Sequence, residues 1–597
     1  MKKQDVLIMV GLMLLLLFWG QIDQHFIKPT FFPDHGTPTE VEQTPAEAPT
    51  QPMPADTDAV PQLLPPETEE EVIAPIDTSD AAPTLVEDIS PVEPGEVRIL
   101  DLERIVVEFN SLGGAIGRIT LNDFAEENQS DSPPIVLDFE SAPALALRGI
   151  AELTPSYPFE ISELPDGMGV RFSRETSLGL QFQREIRVQD DYLFHVRDTF
   201  INLNSQALSL PAFRIHTGRM EPVPGGTSAY GTFPISIDTL MPGGNVKRWG
   251  RDINNRWFRN SPPGLFERSL ETPVDWVAVK NRFFVQSLRP RTTDSQDTWM
   301  FAEIGEDREM QSLRAALQFP AQNLAPNATV EREFFLYVGP QNIARLTALG
   351  HHQNLIMELG WRPIRFFAGL MMIGLTAIYG VFGNYGVAIM LLTVIVRVAF
   401  WPLTHKGTES MRRMQEIGPL MKELNEKYKD DAQKRQQAMM QLYKEHKVNP
   451  LGGCLPMIVQ IPVFIGLFYL LRSAVELRHA SFLWISDLSE PERLIEFGFT
   501  IPLVGWSSLN LLPIFMAGTM FLQQKLTPMP SSGDEKQQQV HATMMKVMPV
   551  MMLVLLYDFA AGLALYWSTQ NVLMIIQQAL YRRRKARQEA QAGAVKK

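Results

Sequence analysis

The chain has 597 residues, of which 45% are hydrophobic and 20% are charged, and it contains a single cysteine, Cys454. One cysteine excludes a disulfide framework, a multi-cysteine zinc or iron–sulfur site and a CxxC redox pair. The net charge of -13 has a local origin, because residues 29–97 carry sixteen acidic residues and no Lys or Arg, whereas the rest of the chain sums to +3. The length favours several domains over one core.

Residues 1–28 begin with Lys2 and Lys3, which precede the apolar run Val6 to Trp19. This pattern is typical of a signal sequence or a signal anchor. Because no small-x-small cleavage site follows the run, we predict an uncleaved anchor helix with its N-terminus in the cytoplasm. A cleaved signal sequence is the alternative.

Residues 29–97 contain fourteen prolines, the sixteen acidic residues and few aromatic residues. Such a composition cannot bury enough apolar surface to offset the conformational entropy of the chain. We therefore predict a disordered linker without a specific partner.

Residues 98–340 read as an all-β domain, with short runs of Val, Ile, Phe and Thr separated by turn signals. Glycine pairs such as Gly113-Gly114 favour antiparallel connections over βαβ units, and a large β-sandwich is the expected fold. The polar residues His195, His216, Glu160 and Asp198 show no spacing that indicates an acid/base pair or a metal site. The predicted strands are Arg104 to Phe109, Gly169 to Arg174, Leu180 to Val188, Tyr192 to Asn202, Asp275 to Leu288 and Thr329 to Val338.

Residues 385–580 are predicted to form a membrane core. Its last apolar block is too long for one span, and Asp558 with Ala561-Gly562 predicts a turn within it. With the N-terminal anchor the prediction is six transmembrane helices, five of them in the core. The five apolar stretches are Tyr385 to Leu403, Leu455 to Leu471, Leu511 to Leu522, 547–559 and 562–580.

The membrane topology follows from the loop 404–449, which holds ten Lys or Arg residues. The positive-inside rule favours a cytoplasmic position for this loop and for the basic tail 581–597. Within 341–384, the uncharged stretch Phe366 to Phe382 is then predicted to lie on the outer surface as an interfacial helix. If it spanned the membrane instead, the basic loop would face outside.

The same loop, 404–449, has apolar residues at three- and four-residue spacing, interrupted by Asp430-Asp431. This periodicity predicts an antiparallel helical hairpin that projects into the cytoplasm, with a kink at Gly418-Pro419. The hairpin is either a docking arm or lid, or a solvated structural element.

Arg397 is the strongest candidate for a functional residue, because it lies within an otherwise uncharged apolar run. A charge there costs about 2.5–3.5 kcal/mol on insertion scales, so it should face protein or water. Thr393 shares its helical face. We predict a wet, positively charged intramembrane cavity; the alternative is that Arg397 extends to the cytoplasmic headgroups. The other polar candidates in the core are Gln460, Tyr566, Trp567, Gln570 and Asn571.

The chain contains no GxxxxGKS/T loop, no HExxH and no GxSxG motif, so nothing indicates nucleotide hydrolysis, metalloprotease or serine hydrolase chemistry. We predict no cofactor and no covalent catalysis. Two other classes remain as alternatives, a solute transporter and a sugar-processing enzyme.

Four stretches of the core carry a family resemblance: TVIVRVAFWPLTHK at 393–406, VNPLGGCLPMIVQIPVF at 448–464, SAVELRHASFLWISDLS at 473–489 and GLALYWSTQNVLMIIQQ at 562–578. With these residues the chain closely resembles the membrane insertases of the YidC, Oxa and Alb family. The anchor, the linker and the β-rich domain match the Gram-negative form, whose large periplasmic domain resembles a mutarotase-type sandwich. The resemblance implies a multi-pass inner-membrane protein.

The resemblance also implies a mechanism and partners. Newly made membrane proteins would enter a groove closed on the outer side, lined by Thr393, Arg397 and Gln460, while Tyr566 and Trp567 would contact the passing segment. This sequence has Tyr566-Trp567 where many relatives have Tyr-Tyr. The implied partners are the Sec translocon, the ribosome and signal-recognition components; the basic tail suits ribosomal RNA or lipid headgroups.

Overall fold

The computed structural model describes residues 95–595 except 130, 224–234, 251–262, 272, 293–294, 306–309, 430, 447–454, 503 and 527–534. The predicted anchor and nearly all of the predicted linker lie outside the described residues. Residues Pro94–Lys597 form one compact unit, in which a β-domain precedes a helical bundle.

The β-domain is built from antiparallel strands, as predicted. In chain order the described strands of this domain are β1 (Val97–Asp101), β2 (Ile105–Asn110), β3 (Ala115–Ala125), β4 (Pro134–Asp138), β5 (Leu147–Arg148), β6 (Glu160–Glu163), β7 (Gly169–Glu175), β8 (Leu180–Asp190), β9 (Leu193–Asn202), β10 (Leu208–Leu210), β11 (Phe213–His216), β12 (Ser236–Met241), β13 (Asn245–Arg248), β14 (Gly264–Ser269), β15 (Trp276–Lys280), β16 (Phe284–Pro290), β17 (Asp297–Ile304), β18 (Met310–Phe319), β19 (Gln322–Leu324) and β20 (Thr329–Pro340).

Among the described strands, the largest sheet has nine strands in the order β13-β12-β15-β16-β20-β9-β8-β7-β6. A five-stranded sheet, β14-β17-β18-β11-β5, contributes side chains to the same apolar core. A four-stranded sheet, β1-β2-β3-β4, and the pair β10-β19 complete the domain. Burial along β9 alternates residue by residue, which is the period that lets one face of a strand join the core.

An ion pair between Arg184 and Asp198 is fully buried within the β-domain. The two residues are directly opposite in the register of β8 and β9, and both side chains are 0% exposed. Arg184 donates to Asp198 through Nε to Oδ1 at 2.7 Å and through Nη2 to Oδ2 at 2.7 Å. Because the guanidinium fork matches the carboxylate, the pair compensates the cost of burying two charges.

The single strand predicted over Asp275 to Leu288 is wrong, because the chain reverses within it. Strands β15 and β16 form a hairpin joined by Asn281, Arg282 and Phe283. The Asn281 side-chain oxygen accepts hydrogen bonds from the amides of Phe283 at 3.2 Å and Phe284 at 2.9 Å. An asparagine that bonds the backbone ahead of it mimics a turn, and no Gly or Pro marks this one.

The remainder of the chain is mainly helical. The described helices are α1 (Ile343–Ala348), α2 (Arg362–Phe382), α3 (Tyr385–Ala399), α4 (Trp401–Glu416), α5 (Gly418–Lys427), α6 (Ala432–Glu445), α7 (Leu455–Ser473), α8 (Leu511–Leu526), α9 (Glu535–Leu556) and α10 (Ala561–Val595). Two short strands, β21 (Ile495–Glu496) and β22 (Ser508–Leu509), pair in the connection between α7 and α8.

Helices α2, α3, α7, α8 and α10 surround a second apolar core, and α9 packs on α8. Gly383 ends α2 in the left-handed conformation with φ 63°, and Asn384 caps α3 by accepting from the amide of Val387 at 3.1 Å. The predicted turn near Asp558 separates α9 from α10.

By length and composition, α2 is the one described helix that is long and apolar enough to cross a membrane. Shorter apolar helices occupy Tyr385–Ala399, Gln460–Ser473 and Thr543–Leu556. The length of α2 fits a span as well as an interfacial helix, so its predicted surface position and the count of six spans stay predictions.

Helices α4, α5 and α6 correspond to the stretch predicted as a helical hairpin. The helix is interrupted between α4, which ends at Glu416, and α5, which begins with Gly418-Pro419. Asp431 caps α6 by accepting a hydrogen bond from the amide of Lys434 at 2.9 Å. These three helices are here called the arm. A small separate apolar core stabilises the arm and is formed by the buried residues Met414, Ile417, Met421 and Leu442.

Candidate functional site within the helical bundle

Helix α10 carries four of the seven predicted site residues, Tyr566, Trp567, Gln570 and Asn571. Gln460 on α7 donates through Nε2 to the hydroxyl of Tyr566 at 2.5 Å. Gln570, one turn further along α10, donates through Nε2 to Oε1 of Gln460 at 3.1 Å. Tyr566 and Gln570 are buried and Gln460 is half-buried. These three residues, here called the polar cluster, join α7 to α10.

Arg397 lies on α3 and contacts the same helix, α10. Its Nη2 donates to Oε1 of Gln577 at 2.6 Å. The side chain is half-buried, and its Nε is buried without a hydrogen-bond partner in the part of the chain that the structure describes. No acidic side chain of the described residues forms an ion pair with Arg397. The helical bundle thus holds a positive charge whose described partner is a neutral amide and not a carboxylate.

Thr393 and Asn571 are also buried, but they do not join the polar cluster. The Thr393 hydroxyl donates to the carbonyl of Ile389, four residues earlier, at 2.7 Å, and the residue is 1% exposed. Asn571 Nδ2 lies 3.2 Å from the Thr519 hydroxyl on α8. Both side chains therefore find hydrogen-bond partners within the packed helices.

Trp567 packs against Phe464 of α7, with ring centroids 4.7 Å apart and an interplanar angle of 77°. The edge-to-face geometry is a favoured aromatic arrangement. Trp567 is half-buried. It therefore contributes to the contact between α7 and α10, next to the polar cluster.

The structure thus distributes the seven predicted residues around α10 instead of assembling them in one contact network. Two partners were missed by the sequence analysis, Gln577 and Thr519. Gln577 lies seven residues after Gln570, on the same helical face, so the helical period of α10 would have identified it. Thr519 on α8 carries no comparable signal.

Two of the four polar residues singled out in the β-domain, Asp198 and His216, are buried in ordinary structural surroundings. Asp198 forms the buried ion pair with Arg184. His216 is buried against Phe301, with ring centroids 4.9 Å apart. Burial, together with nearby Arg314, Arg148 and Arg214, lowers the pKa of His216 well below its usual range. Among the described residues no cluster of His, Cys, Asp and Glu could hold a metal ion.

The helices expose large apolar side chains on their outer faces. An apolar exterior combined with polar contacts in the interior is typical of helices packed within a lipid bilayer. Fold and site together define a helical membrane protein with a large antiparallel β-domain. Exposed examples are Phe366, Leu370, Ile373, Val394, Ile395, Val398, Ile514, Phe515, Val550, Val554 and Ile576.

Comparison with known proteins identifies the family. Residues 377–589 match the family described as 60Kd inner membrane protein, and residues 100–373 match the family described as YidC periplasmic domain. A membrane protein insertase YidC of Pelobacter propionicus is 32% identical over 488 residues, which cover 79% of this chain and 83% of that protein. The chain belongs to the YidC family of membrane protein insertases.

Two further relatives and one solved structure are similar to this chain. The YidC insertase of Janthinobacterium is 28% identical over 96% of this chain and 98% of its own length. That of Syntrophobacter fumaroxidans is 41% identical over 52% of this chain and 54% of its own length. A crystal structure of an active YidC insertase with its first transmembrane domain resolved matches at 18% identity and a TM-score of 0.31, over 82% of this chain and 95% of that chain.

The family resemblance is therefore confirmed, and with it an inner-membrane insertase whose periplasmic domain is rich in strands. The β-domain described above is this periplasmic domain.

Proposed function

We propose that the protein integrates newly made inner-membrane proteins, and assists their folding, through a hydrophilic and positively charged intramembrane groove. The observation that carries the proposal is Arg397, a half-buried cation on α3 whose described partner is the neutral amide of Gln577. A cation without a carboxylate partner attracts acidic or polar segments of an incoming chain. Thr393, Gln460, Tyr566, Trp567, Gln570 and Asn571 complete the proposed groove.

The energetic role of such a groove is to shorten the apolar path that a hydrophilic segment must cross. Each charge that is moved through the bilayer centre meets a large barrier, and polar side chains partway across lower it. Burial of the substrate's own apolar helix in lipid then drives its release. The scheme requires neither a nucleotide nor a covalent intermediate, so we propose an insertase and chaperone without enzymatic catalysis.

The proposed topology has the N-terminus and the C-terminus in the cytoplasm and five core helices in the membrane. The arm of α4, α5 and α6 would then lie in the cytoplasm, where ribosomes and signal-recognition components deliver substrates. The tail 581–597, which contains Arg582-Arg583-Arg584-Lys585, suits an anionic partner such as ribosomal RNA or lipid headgroups. Cooperation with the Sec translocon belongs to the same proposal.

The test uses purified protein in liposomes and a small single-span protein that is synthesised outside them. Insertion is measured by protease protection of the translocated tail. With the wild-type protein we expect the translocated tail to be protected. With Arg397→Ala we expect the rate of insertion to fall about tenfold or more, because the charge that attracts the polar segment is removed. Arg413→Ala, on the exposed surface of α4, is the matched control.

Protection equal to that of empty liposomes would contradict the insertase proposal. Protection that is the same in the wild-type protein and in Arg397→Ala would leave the insertase but remove Arg397 from its groove. Arg397→Lys separates charge from shape, since a lysine keeps the charge but not the planar fork of donors.

A further inference from the structure

Arg282, at the tip of the hairpin of β15 and β16, contacts the helical part of the chain. Arg282 lies in the three-residue connection whose shape Asn281 fixes. Its side chain is 8% exposed although it occupies a loop. The guanidinium lies near the ring of the neighbouring Phe283, 4.7 Å from its centroid. A buried arginine at a loop tip requires partners, and all those described below belong to the helical part of the chain.

Arg282 donates to three groups in that part of the chain. Nε donates to the carbonyl of Arg472 at 3.0 Å, and Nη2 donates to the carbonyl of Ser489 at 2.6 Å. Nη1 forms an ion pair with the carboxylate of Glu490. Arg472 belongs to the last turn of α7, where carbonyl groups lack a partner within the helix. Arg282 therefore caps α7 and binds the connection that follows it.

The connection bound by Arg282 holds the first turn of α10. The amide of Ala561 donates to the carbonyl of Glu490 at 2.8 Å, and the amide of Gly562 donates to the carbonyl of Leu488 at 2.9 Å. A side chain at Gly562 would lie 3.0 Å from that carbonyl, so the close approach favours glycine. Arg282 is thus linked through a single residue, Glu490, to the start of α10, the helix that carries Tyr566 and Gln570.

A second arginine makes the contact reciprocal. Arg478, in the connection after α7, donates through Nη1 to the carbonyl of Ala125 at 2.5 Å and through Nη2 to that of Glu126 at 2.7 Å. Asn128 of the β-domain donates to the carbonyl of Ser486 at 2.5 Å. Each part of the protein therefore supplies side-chain donors to backbone carbonyls of the other.

We propose that Arg282 is a positioning residue for insertion: it fixes the segment Leu488 to Glu490, and through that segment the start of α10, so that Tyr566 and Gln570 meet Gln460. The periplasmic domain is then a structural part of the insertion site and not only a separate module. The inference rests on the proposed function of the polar residues on α10. Its structural step can be measured without any insertion assay.

The experiment compares the full-length wild-type protein with Arg282→Ala, Arg282→Lys and Glu490→Gln by hydrogen exchange and by insertion into liposomes. Exchange is read in the peptide that contains the amides of Ala561 and Gly562. Arg171→Ala is the matched control, because Arg171 pairs with Glu185 on the exposed surface of the same domain. Exchange within β8 and β9 verifies that each variant keeps a folded β-domain.

For Arg282→Ala we expect exchange of these two amides to accelerate about tenfold or more, as loss of hydrogen bonds to a charged group predicts. Insertion is expected to slow about threefold or more, and Arg171→Ala is expected to leave both rates unchanged. Glu490→Gln keeps the two bonds to carbonyls and is expected to give a smaller increase. Arg282→Lys keeps the charge but cannot reach both carbonyls, so its effect should lie between those of Glu490→Gln and Arg282→Ala.

Unchanged exchange at Ala561 and Gly562 in Arg282→Ala, with β8 and β9 still protected, would overturn the inference. Accelerated exchange with an unchanged insertion rate would also overturn it, because the position of α10 would then not limit insertion. If the wild-type protein itself inserts nothing, the proposed function fails, and the exchange rates alone decide whether Arg282 fixes α10.

Discussion

Arg397 and Gln577 lie 180 residues apart in the sequence, and the guanidinium Nη2 donates to the amide Oε1 at 2.6 Å. The contact joins α3 to α10 across the interior of the bundle. An amide oxygen orients the guanidinium without cancelling its charge, as a carboxylate would. The site therefore keeps a positive potential while the side chain is held in place.

The first prediction concerns this orientation. Gln577→Leu removes the acceptor, so Arg397 loses a fixed position but keeps its charge. We expect the rate of liposome insertion to fall about threefold, less than in Arg397→Ala, because one hydrogen bond to a charged group is lost. In the double variant the two effects should not add, since both act on one contact.

Gln441→Leu, on the exposed surface of the arm, is the control for the change of an amide to an apolar side chain. Additive effects of the Gln577 and Arg397 substitutions would show that Gln577 acts independently of the guanidinium.

The second prediction concerns the polar cluster. Tyr566→Phe removes the hydroxyl that accepts from Gln460 and leaves the half-buried amide of Gln460 with one partner fewer. We expect the free energy of unfolding to fall by about 1–3 kcal/mol, measured by thermal unfolding in detergent. Trp567→Phe should cost less, because a phenyl ring can still pack edge-to-face on Phe464. Equal stability of Tyr566→Phe and the wild-type protein would contradict the cluster.

The third prediction concerns the buried ion pair of the β-domain. Asp198→Ala leaves the Arg184 guanidinium charged and buried, so we expect a loss of about 3–5 kcal/mol in the stability of the β-domain. Pulse proteolysis of the full-length protein in urea measures that loss. Glu185→Ala, which breaks the exposed pair with Arg171, should cost about 1 kcal/mol or less. Similar costs for the two substitutions would be the contrary result.

The fourth prediction is a pH dependence set by His216. Burial, with Arg314, Arg148 and Arg214 nearby, lowers the pKa of His216 in the folded state. In the unfolded state the same histidine has the ordinary pKa of about 6.5. Below that value the unfolded state binds a proton that the folded state does not, so folding stability falls as the pH falls.

The slope due to His216 should approach about 1.4 kcal/mol per pH unit below pH 6.5. Pulse proteolysis at pH 7.0, 6.0 and 5.0 measures this slope. In His216→Phe we expect a smaller loss of folding stability between pH 7.0 and pH 5.0 than in the wild-type protein. An identical pH dependence in the two proteins would mean that His216 takes up a proton in the folded state.

Several elements could be predicted because their signals are local. A run rich in Val, Ile, Phe and Thr predicted β9, and apolar residues at three- and four-residue spacing predicted the helices α4, α5 and α6. Gly418-Pro419 and Asp558 marked interruptions where helices do end. Such features depend on side-chain period and backbone freedom within a few residues, which the sequence states directly.

The hairpin at Arg282 had no such signal. The stretch Asp275 to Leu288 contains no Gly or Pro and eight apolar residues among its fourteen, so its composition predicts one continuous strand. What bends the chain is the Asn281 side chain, and what makes the bend useful is a contact with Glu490, 208 residues away. No local pattern encodes a partner at that separation.

The sequence by itself determined the class of protein, because an apolar core with Arg397 inside it, a strand-rich domain and four specific motifs are properties of composition, period and local order. The tertiary structure decided which polar residues meet. Gln460, Tyr566 and Gln570 converge, Arg397 takes Gln577 as its partner, and Thr393 and Asn571 bond elsewhere. The physical reason is that hydrogen bonds need contact within about 3 Å, and only the packing of α3, α7 and α8 against α10 fixes those distances.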